Sequence, residues 1–227
     1  LPQEGESMYQ YVFFDLDGTL TDSKEGVLEC VRYAIEGMGR PVPEGDLLKF
    51  IGPPLQDSFM RYCGLSQEES RRALELFRER YVPVGQFKNR PAPGMAEMMG
   101  RLKERGLTLA LASSKAENQC VPICERFGFA PHLAVIAGSA GQRDQSKAEI
   151  IREAMGRLGL TDPRLCLMVG DRKYDVEGAR ACGMDCVGVE FFGYAPPGEL
   201  EAAGAAAVVR TAAELEAFIL ARSEPRT

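Results

Sequence analysis

The sequence predicts an α/β protein: a parallel sheet covered by helices on both faces, with an all-helical insertion. Three observations carry this reading. Short apolar runs of buried-strand length recur along the chain, helical patterns separate most of them, and the long interval after the first run contains helical patterns with no strand among them. The first strand is Tyr11–Phe14. Helices over Gly26–Met38, Leu55–Tyr62 and Gln67–Val82 fill the insertion, and Met95–Glu104 returns the chain to the sheet. Strands at Leu107–Ala112, Leu133–Ala137 and Leu165–Val169 then alternate with helices at Ala116–Phe127, Lys147–Leu158 and Tyr174–Cys182. Strands at Cys186–Val189 and Ala207–Val209 and a helix at Ala212–Ala221 complete the pattern, with the Ala/Gly-rich Ala202–Ala207 expected to be a loop making a small-residue packing contact.

Thr21-Asp22-Ser23 and the Pro-rich Asn89–Gly94 bound the insertion and read as linkers, with Gly94, Pro91 and Pro93 at the second hinge. The expected organisation is a core of residues 8–21 and 91–227 with an insertion of residues 22–90. Residues 1–7 are polar, precede Met8, and are left out of the fold as an extension.

At 227 residues, 45% hydrophobic and 26% charged, the chain has the composition of an ordinary globular protein. A net charge of −6 argues against nucleic acid or an anionic membrane as partner. The seven cysteines are odd in number and include no Cys-x-x-Cys pair, which argues against a disulfide framework and a structural zinc site and favours reduced thiols in the cytoplasm. No apolar stretch is long enough to span a bilayer.

Three predicted strands end in polar residues. The first runs into Asp15-Leu16-Asp17-Gly18-Thr19, the second into Ser113-Ser114-Lys115, and the fourth into Gly170-Asp171, with Asp175 four residues later. Carboxylates at i and i+2 of extended backbone project to the same side, so Asp15 and Asp17 aim at one spot. Gly18 permits a sharp turn that brings N–H groups toward an anion, and Thr19 adds a hydroxyl. The carboxyl ends of strands in an open parallel sheet form the ligand crevice, so the three clusters converge there. Four acids in one crevice repel one another unless a cation sits among them, and an oxygen-lined phosphate site suits Mg²⁺. Ser113 and Ser114 offer donors to phosphate oxygens. Lys147, opening the helix before the Asp171 strand, is the expected charge-balancing lysine, with Lys115 as the alternate.

These residues, in this order, resemble the haloacid dehalogenase-like superfamily of phosphohydrolases, from Met8 onward. The helical insertion after the first motif is similar to the cap of the phosphoglycolate phosphatase and β-phosphoglucomutase branch. The resemblance implies a Rossmann-like core in which Asp15 is the nucleophile that becomes an aspartyl phosphate. It makes Asp17 the general acid and base, gives Ser113 a phosphoryl oxygen to hold, and has Lys147 balance charge and orient Asp15. It also implies Mg²⁺ on Asp15, the Asp17 main-chain carbonyl and Asp171, with Asp175 as ligand or support. Gly18, Thr19 and Ser114 fall at substrate-binding positions. So does Gly52, in the Pro-rich turn Lys49–Leu55 of the cap, where substrate choice is expected to lie. An acid at position 17 separates the chain from dehalogenases and phosphonate-cleaving members. One departure stands out: many phosphoglycolate phosphatases carry a small hydroxyl residue after Gly-Asp, whereas Arg172-Lys173-Tyr174 follow Asp171 here. Those two cations either favour a more anionic substrate or face solvent at the helix start, and solvent is the expectation.

The expected activity is Mg²⁺-dependent hydrolysis of a small phosphorylated metabolite by a monomer or homodimer. A phosphomutase of the β-phosphoglucomutase type shares nearly all of this machinery. A receiver-like phospho-acceptor module also places acids, a hydroxyl and a lysine at strand ends, but is about half this length and has no cap. Cys166–Arg172 has the spacing of a cysteine-dependent phosphatase, yet its intervening residues read as a buried strand and Asp171 would repel the phosphate. His132 is the sole histidine and reads as a loop residue; Phe191-Phe192-Gly193-Tyr194 reads as an aromatic lid over core.

Overall fold

A computed structural model describes residues 9–43, 47–51, 53–140 and 145–223. In chain order its strands and α-helices are β1 (Tyr11–Phe14), β2 (Thr21–Asp22), α1 (Lys24–Gly37), α2 (Leu55–Cys63), α3 (Gln67–Tyr81), β3 (Arg90–Pro91), α4 (Met95–Glu104), β4 (Thr108–Ala116), α5 (Glu117–Arg126) and β5 (Leu133–Ser139). There follow α6 (Lys147–Arg157), β6 (Cys166–Gly170), α7 (Lys173–Cys182), β7 (Asp185–Val189), α8 (Glu199–Ala203), β8 (Ala207–Val209) and α9 (Ala212–Leu220). The described residues fall into two compact units, one within Leu1–Leu20 and Pro91–Thr227, the other within Thr21–Arg90.

The larger unit is built on a six-stranded sheet in the order β5-β4-β1-β6-β7-β8, with every neighbouring pair parallel. Its inner strands β4, β1, β6 and β7 are largely buried on both sides, and alternate residues feed two separate cores. Val12, Phe14, Leu109, Leu111, Leu167, Val169, Val187 and Val189 pack with α4, α5 and α9 through Met95, Met98, Met99, Leu102, Ile123, Leu215 and Ile219. Phe13, Ala110, Ala112, Met168 and Cys186 pack with α6, α7 and α8 through Ile150, Ile151, Ala154, Val176, Ala179 and Leu200. This is the α/β architecture that the apolar runs predict. From β1 the chain moves outward through β4 and β5, then returns to β6 on the other side of β1 and moves outward again. The reversal opens a crevice at the carboxyl ends of β4, β1 and β6, the three strands whose ends carry Ser113, Lys115, Asp15, Asp17 and Asp171.

Two differences from the sequence reading have local causes. Ala202–Ala207 is not a loop throughout, because α8 runs to Ala203 and Gly204, at φ 95°, closes it just before β8. Leu200 and Ala203 lie in the apolar layer over the sheet, so burial fixes a helix where small-residue composition suggested none. The second expected strand runs on to Ala116, because after a register shift β4 resumes pairing at Ala116 with Ser139.

In the smaller unit α1 presents Val27, Cys30, Val31, Ala34 and Ile35 to its interior, and α3 presents Ala73, Phe77 and Tyr81. Phe50 meets Phe59 edge-on at 5.3 Å, and Phe77 stacks on Tyr81 at 5.0 Å. Ser66 and Glu69 cap α3 reciprocally, satisfying two backbone donors that the helix leaves open. At its ends β2 pairs with β3, two-residue strands too short for periodicity to reveal. Gly52 lies outside the described residues.

Candidate active site

Asp15 directly follows β1, and its N–H donates to the Val169 carbonyl at 2.9 Å, which pins the strand end to β6. The Lys147 ammonium lies 2.7 Å from Asp15 Oδ1 and 2.7 Å from Asp175 Oδ1. It is the first residue of α6, whose start is fixed by a reciprocal cap between Ser146 and Glu149. Asp175 is tied twice, since its Oδ2 also accepts the Arg172 N–H at 3.1 Å. A Cβ on Gly170 would sit 2.2 Å from Asp175 Cγ, so only glycine lets this carboxylate lie against the end of β6.

Asp171 stands opposite. Thr19 Oγ1 is 3.5 Å from Asp171 Oδ1, and Asp171 Oδ2 is buried with no hydrogen-bond partner. Gly18, at φ 88°, passes so close that a Cβ there would fall 2.1 Å from Asp171 Oδ2. Positive φ and the absent side chain are thus both required at that turn.

Asp15, Asp171 and Asp175 each offer an oxygen, and these atoms lie within 4.8 Å of one another. Three carboxylates face one ammonium, an excess of negative charge in a buried place. Burial pushes the Asp15 carboxyl above its usual range; Lys147 opposes the rise and Asp175 adds to it. Burial likewise drives Asp171 well above the usual range, reinforced by Asp175 and Asp15. Burial acts to lower Lys147, but the two carboxylates on it prevail and it stays charged above the usual lysine range. An unpartnered buried carboxylate oxygen, an all-oxygen donor set and uncompensated negative charge fit a hard divalent cation such as Mg²⁺. Asp15, Asp171 and Asp175 each place an oxygen where it could serve such an ion, and Asp175 in addition anchors Lys147 and the turn at Arg172.

The second lysine is also in the site. Lys115 Nζ lies 2.9 Å from Asp17 Oδ2, while Asp17 Oδ1 is buried without a hydrogen-bond partner. Ser113 is buried at the adjacent strand end, where its Oγ accepts the Lys115 N–H at 3.3 Å and keeps its own hydrogen to donate. Ser114 is exposed. The two lysines, expected as alternates, each have an acid of their own.

Arg172 corrects an expectation. It does not face solvent: it is buried and paired with Glu199, Nε to Oε1 at 2.8 Å and Nη2 to Oε2 at 3.3 Å, and Glu199 also accepts the Lys173 N–H at 3.1 Å. Glu199 opens α8 and so clamps the turn that carries Asp171. No local pattern in the sequence signals a partner so far along the chain. Cys166 is buried at the start of β6 with its thiol pushed up to about 12 by burial, which leaves no thiolate for a cysteine-dependent mechanism. His132 ends a short 3₁₀ turn before β5, and Phe191 and Phe192 pack against the core layer of α4, α5 and α9.

A family model described as haloacid dehalogenase-like hydrolase matches residues 12–189. Tyrosine-protein kinase PtkA of Mycobacterium tuberculosis is 42% identical over 186 residues, which cover 81% of this chain but 62% of that protein. A 5′-nucleotidase of Pseudomonas aeruginosa is 38% identical over 199 residues, covering 86% of this chain and 88% of the other. A phosphoglycolate phosphatase of Mesorhizobium japonicum is 31% identical over 191 residues, covering 79% and 82%. Among solved structures, a predicted phosphatase from Clostridium acetobutylicum superposes with a TM-score of 0.89 at 36% identity, over 95% of this chain and 100% of that one.

Proposed function

Because the chain belongs to the haloacid dehalogenase-like hydrolases, we propose that it is a Mg²⁺-dependent phosphatase that hydrolyses a small phosphate monoester through an aspartyl-phosphate intermediate, in the manner of phosphoglycolate phosphatase. One observation carries the reading: Asp15, held by Lys147, faces Asp171, whose Oδ2 is buried and unpartnered.

Asp15 attacks phosphorus in line, and its oxygen forms the new bond as the bond to the leaving oxygen breaks. Lys147 orients that carboxylate and offsets charge on the transferring group. Asp17 gives its proton to the leaving oxygen, then takes one from the water that cleaves the aspartyl phosphate and frees inorganic phosphate. Ser113, Ser114, Thr19 and the backbone at Gly18 supply donors to phosphoryl oxygens. The Asp15 and Asp171 carboxylates and the Asp17 main-chain carbonyl would hold Mg²⁺, with Asp175 supporting them. When bound, the ion would neutralise charge on the phosphoryl oxygens.

Residues 22–90 act in this reading as a cap on which substrate choice depends. The partner is a small phosphorylated metabolite rather than nucleic acid or membrane, and the working compartment is the cytoplasm. No helix among the described residues is long and apolar enough to cross a membrane.

The test is phosphate release from phosphoglycolate, 5′-nucleotides and sugar phosphates with Mg²⁺, with a chelator, and with Asp15→Asn. Release should stop on chelation, return with Mg²⁺, and fall by about 10⁴-fold or more in the variant. Undiminished release by Asp15→Asn would overturn the mechanism. Offering tyrosine and sugar hydroxyls as acceptors alongside water separates hydrolysis from group transfer.

A further inference from the structure

We propose that Lys115 is a positioning residue for Asp17: it holds Oδ2 of that carboxylate so that Oδ1 delivers the proton, and it balances the negative charge left when the proton departs. The inference rests on the assignment of Asp15 as nucleophile and Asp17 as acid.

The two oxygens of Asp17 are in contrasting states. Oδ2 is 2.9 Å from the Lys115 ammonium, with the side chains only 8% and 20% exposed for Lys115 and Asp17 respectively. Oδ1 is buried and unpartnered. A carboxylate free to rotate presents either oxygen, whereas one anchored through a single oxygen presents the other in a fixed direction. Proton transfer in a transition state depends on that alignment.

The backbone around Lys115 is shaped to put it there. Ser113 pairs with Gly138 and Ala116 with Ser139, so two extra residues, Ser114 and Lys115, lodge in β4 opposite a single step of β5. A Cβ on Gly138 would sit 2.6 Å from the Lys115 carbonyl oxygen and 2.6 Å from Glu117 N, so glycine there admits the bulge. Ser113 Oγ accepts the Lys115 N–H at 3.3 Å, and the Lys115 carbonyl accepts from Cys120 Sγ at 3.6 Å. A lysine is costly to bury, and this one is held from both sides along its backbone and ends on an acid that pairs with no other cation among the described residues.

Atoms and charge balance through both half-reactions. The bond from Asp15 to phosphorus forms while the bond from phosphorus to the leaving oxygen breaks, and that oxygen takes the proton from Asp17 Oδ1. The negative charge that the leaving group would have carried then rests on Asp17, beside Lys115. In the second half a water gives its proton to Asp17 as its oxygen bonds to phosphorus and the bond to Asp15 breaks, which restores both acids. Lys115 therefore matters in proportion to how much the leaving oxygen needs the proton.

The test compares kcat/KM for ethyl phosphate, a poor leaving group, with that for p-nitrophenyl phosphate, a good one, using the full chain with Mg²⁺. Asp17→Asn, Lys115→Met and Lys115→Arg are measured beside the native protein. Asp17→Asn should lose about 10²-fold or more on ethyl phosphate relative to p-nitrophenyl phosphate. Lys115→Met should show the same bias, by about tenfold or more, and Lys115→Arg should recover most of it. Because the readout is a ratio within one protein, a fraction of misfolded enzyme cancels from it. An equal loss on both esters in Lys115→Met, with the bias present in Asp17→Asn, would overturn the role of Lys115 and leave the phosphatase reading standing. No bias in Asp17→Asn would overturn Asp17 as acid, and the role of Lys115 with it.

Discussion

The two units bury apolar side chains alike and both carry exposed ion pairs, but among the described residues the buried ion pairs all lie in the larger unit. In the larger unit Lys147 meets Asp15 and Asp175 with side chains 5%, 13% and 4% exposed. In the helical unit Arg80 pairs with Glu29 at 43% and 30% exposure, and Arg72 with Glu75 at 64% and 64%. Glu29 also bonds Lys88, which adds a second cation to the same exposed carboxylate. Exposed pairs contribute little to stability because water and salt screen them. Buried charges cost several kcal/mol each to desolvate, and a fold keeps them where something other than stability requires them. The contrast locates the chemistry without reference to any motif: the helical unit stands on its apolar helix faces, and the sheet unit carries a cost at the ends of β1 and β6.

Breaking a pair in each unit tests this most sharply. Lys147→Met leaves Asp15 and Asp175 without their cation, and we expect a loss of about 3–5 kcal/mol in unfolding free energy, read by denaturant titration. Turnover should fall with it. Arg80→Met removes a screened partner, and its denaturation midpoint should stay close to the native value. Equal shifts in the two variants would mean that the crevice at β1 and β6 is as solvated as the surface of α3.

Two glycines at positive φ sharpen the comparison on a smaller scale. Gly18 has φ 88°, and a methyl group placed on it would lie 2.1 Å from Asp171 Oδ2, whereas Gly64, which ends α2 at φ 63°, would have nothing within 4 Å of such a group. Gly64→Ala should cost only the backbone penalty, about 1–2 kcal/mol. Gly18→Ala should cost more than that, because Asp171 must also move, and it should lower kcat in step. A stability loss at Gly18 no larger than at Gly64 would show that Asp171 yields without cost.

What the sequence disclosed follows from how local each signal is. The acids after β1 and β6, the serines near the end of β4 and the lysine opening α6 were legible because strand ends and helix starts are set by nearby apolar runs and caps. Their convergence followed from the order of strands in a doubly wound sheet. The partners of Arg172 and Lys115 were not legible. Glu199 opens a short helix that the sequence reading did not expect, and Lys115 reaches Asp17 through a bulge that only the pairing of β4 with β5 defines. The paired strands β2 and β3 were missed because two residues carry no period. Periodicity reveals which face of an element is buried; it does not reveal which distant side chain completes a charge.

The smallest expected effect concerns groups that the sheet unit buries without using. Burial pushes the Cys124 thiol up to about 12. Unfolded thiols ionise near pH 8.5, so between about 8.5 and 12 the unfolded chain releases a proton that the folded one retains. The stabilisation from this thiol is therefore complete below about pH 8.5 and declines as pH rises, by at most about 1.4 kcal/mol per pH unit. Lysines and tyrosines titrate in the same range, so the informative quantity is a difference: the slope of unfolding free energy between pH 8.5 and 10 in the native protein minus that in Cys124→Ala. The slope should be shallower in the variant. Cys63, at the end of α2 in the helical unit and only partly buried, is raised less, and Cys63→Ala should change the slope less. If both substitutions left the slope unchanged, water would have to reach Cys124 through α5, and the apolar layer beneath the sheet would be looser than its packing implies.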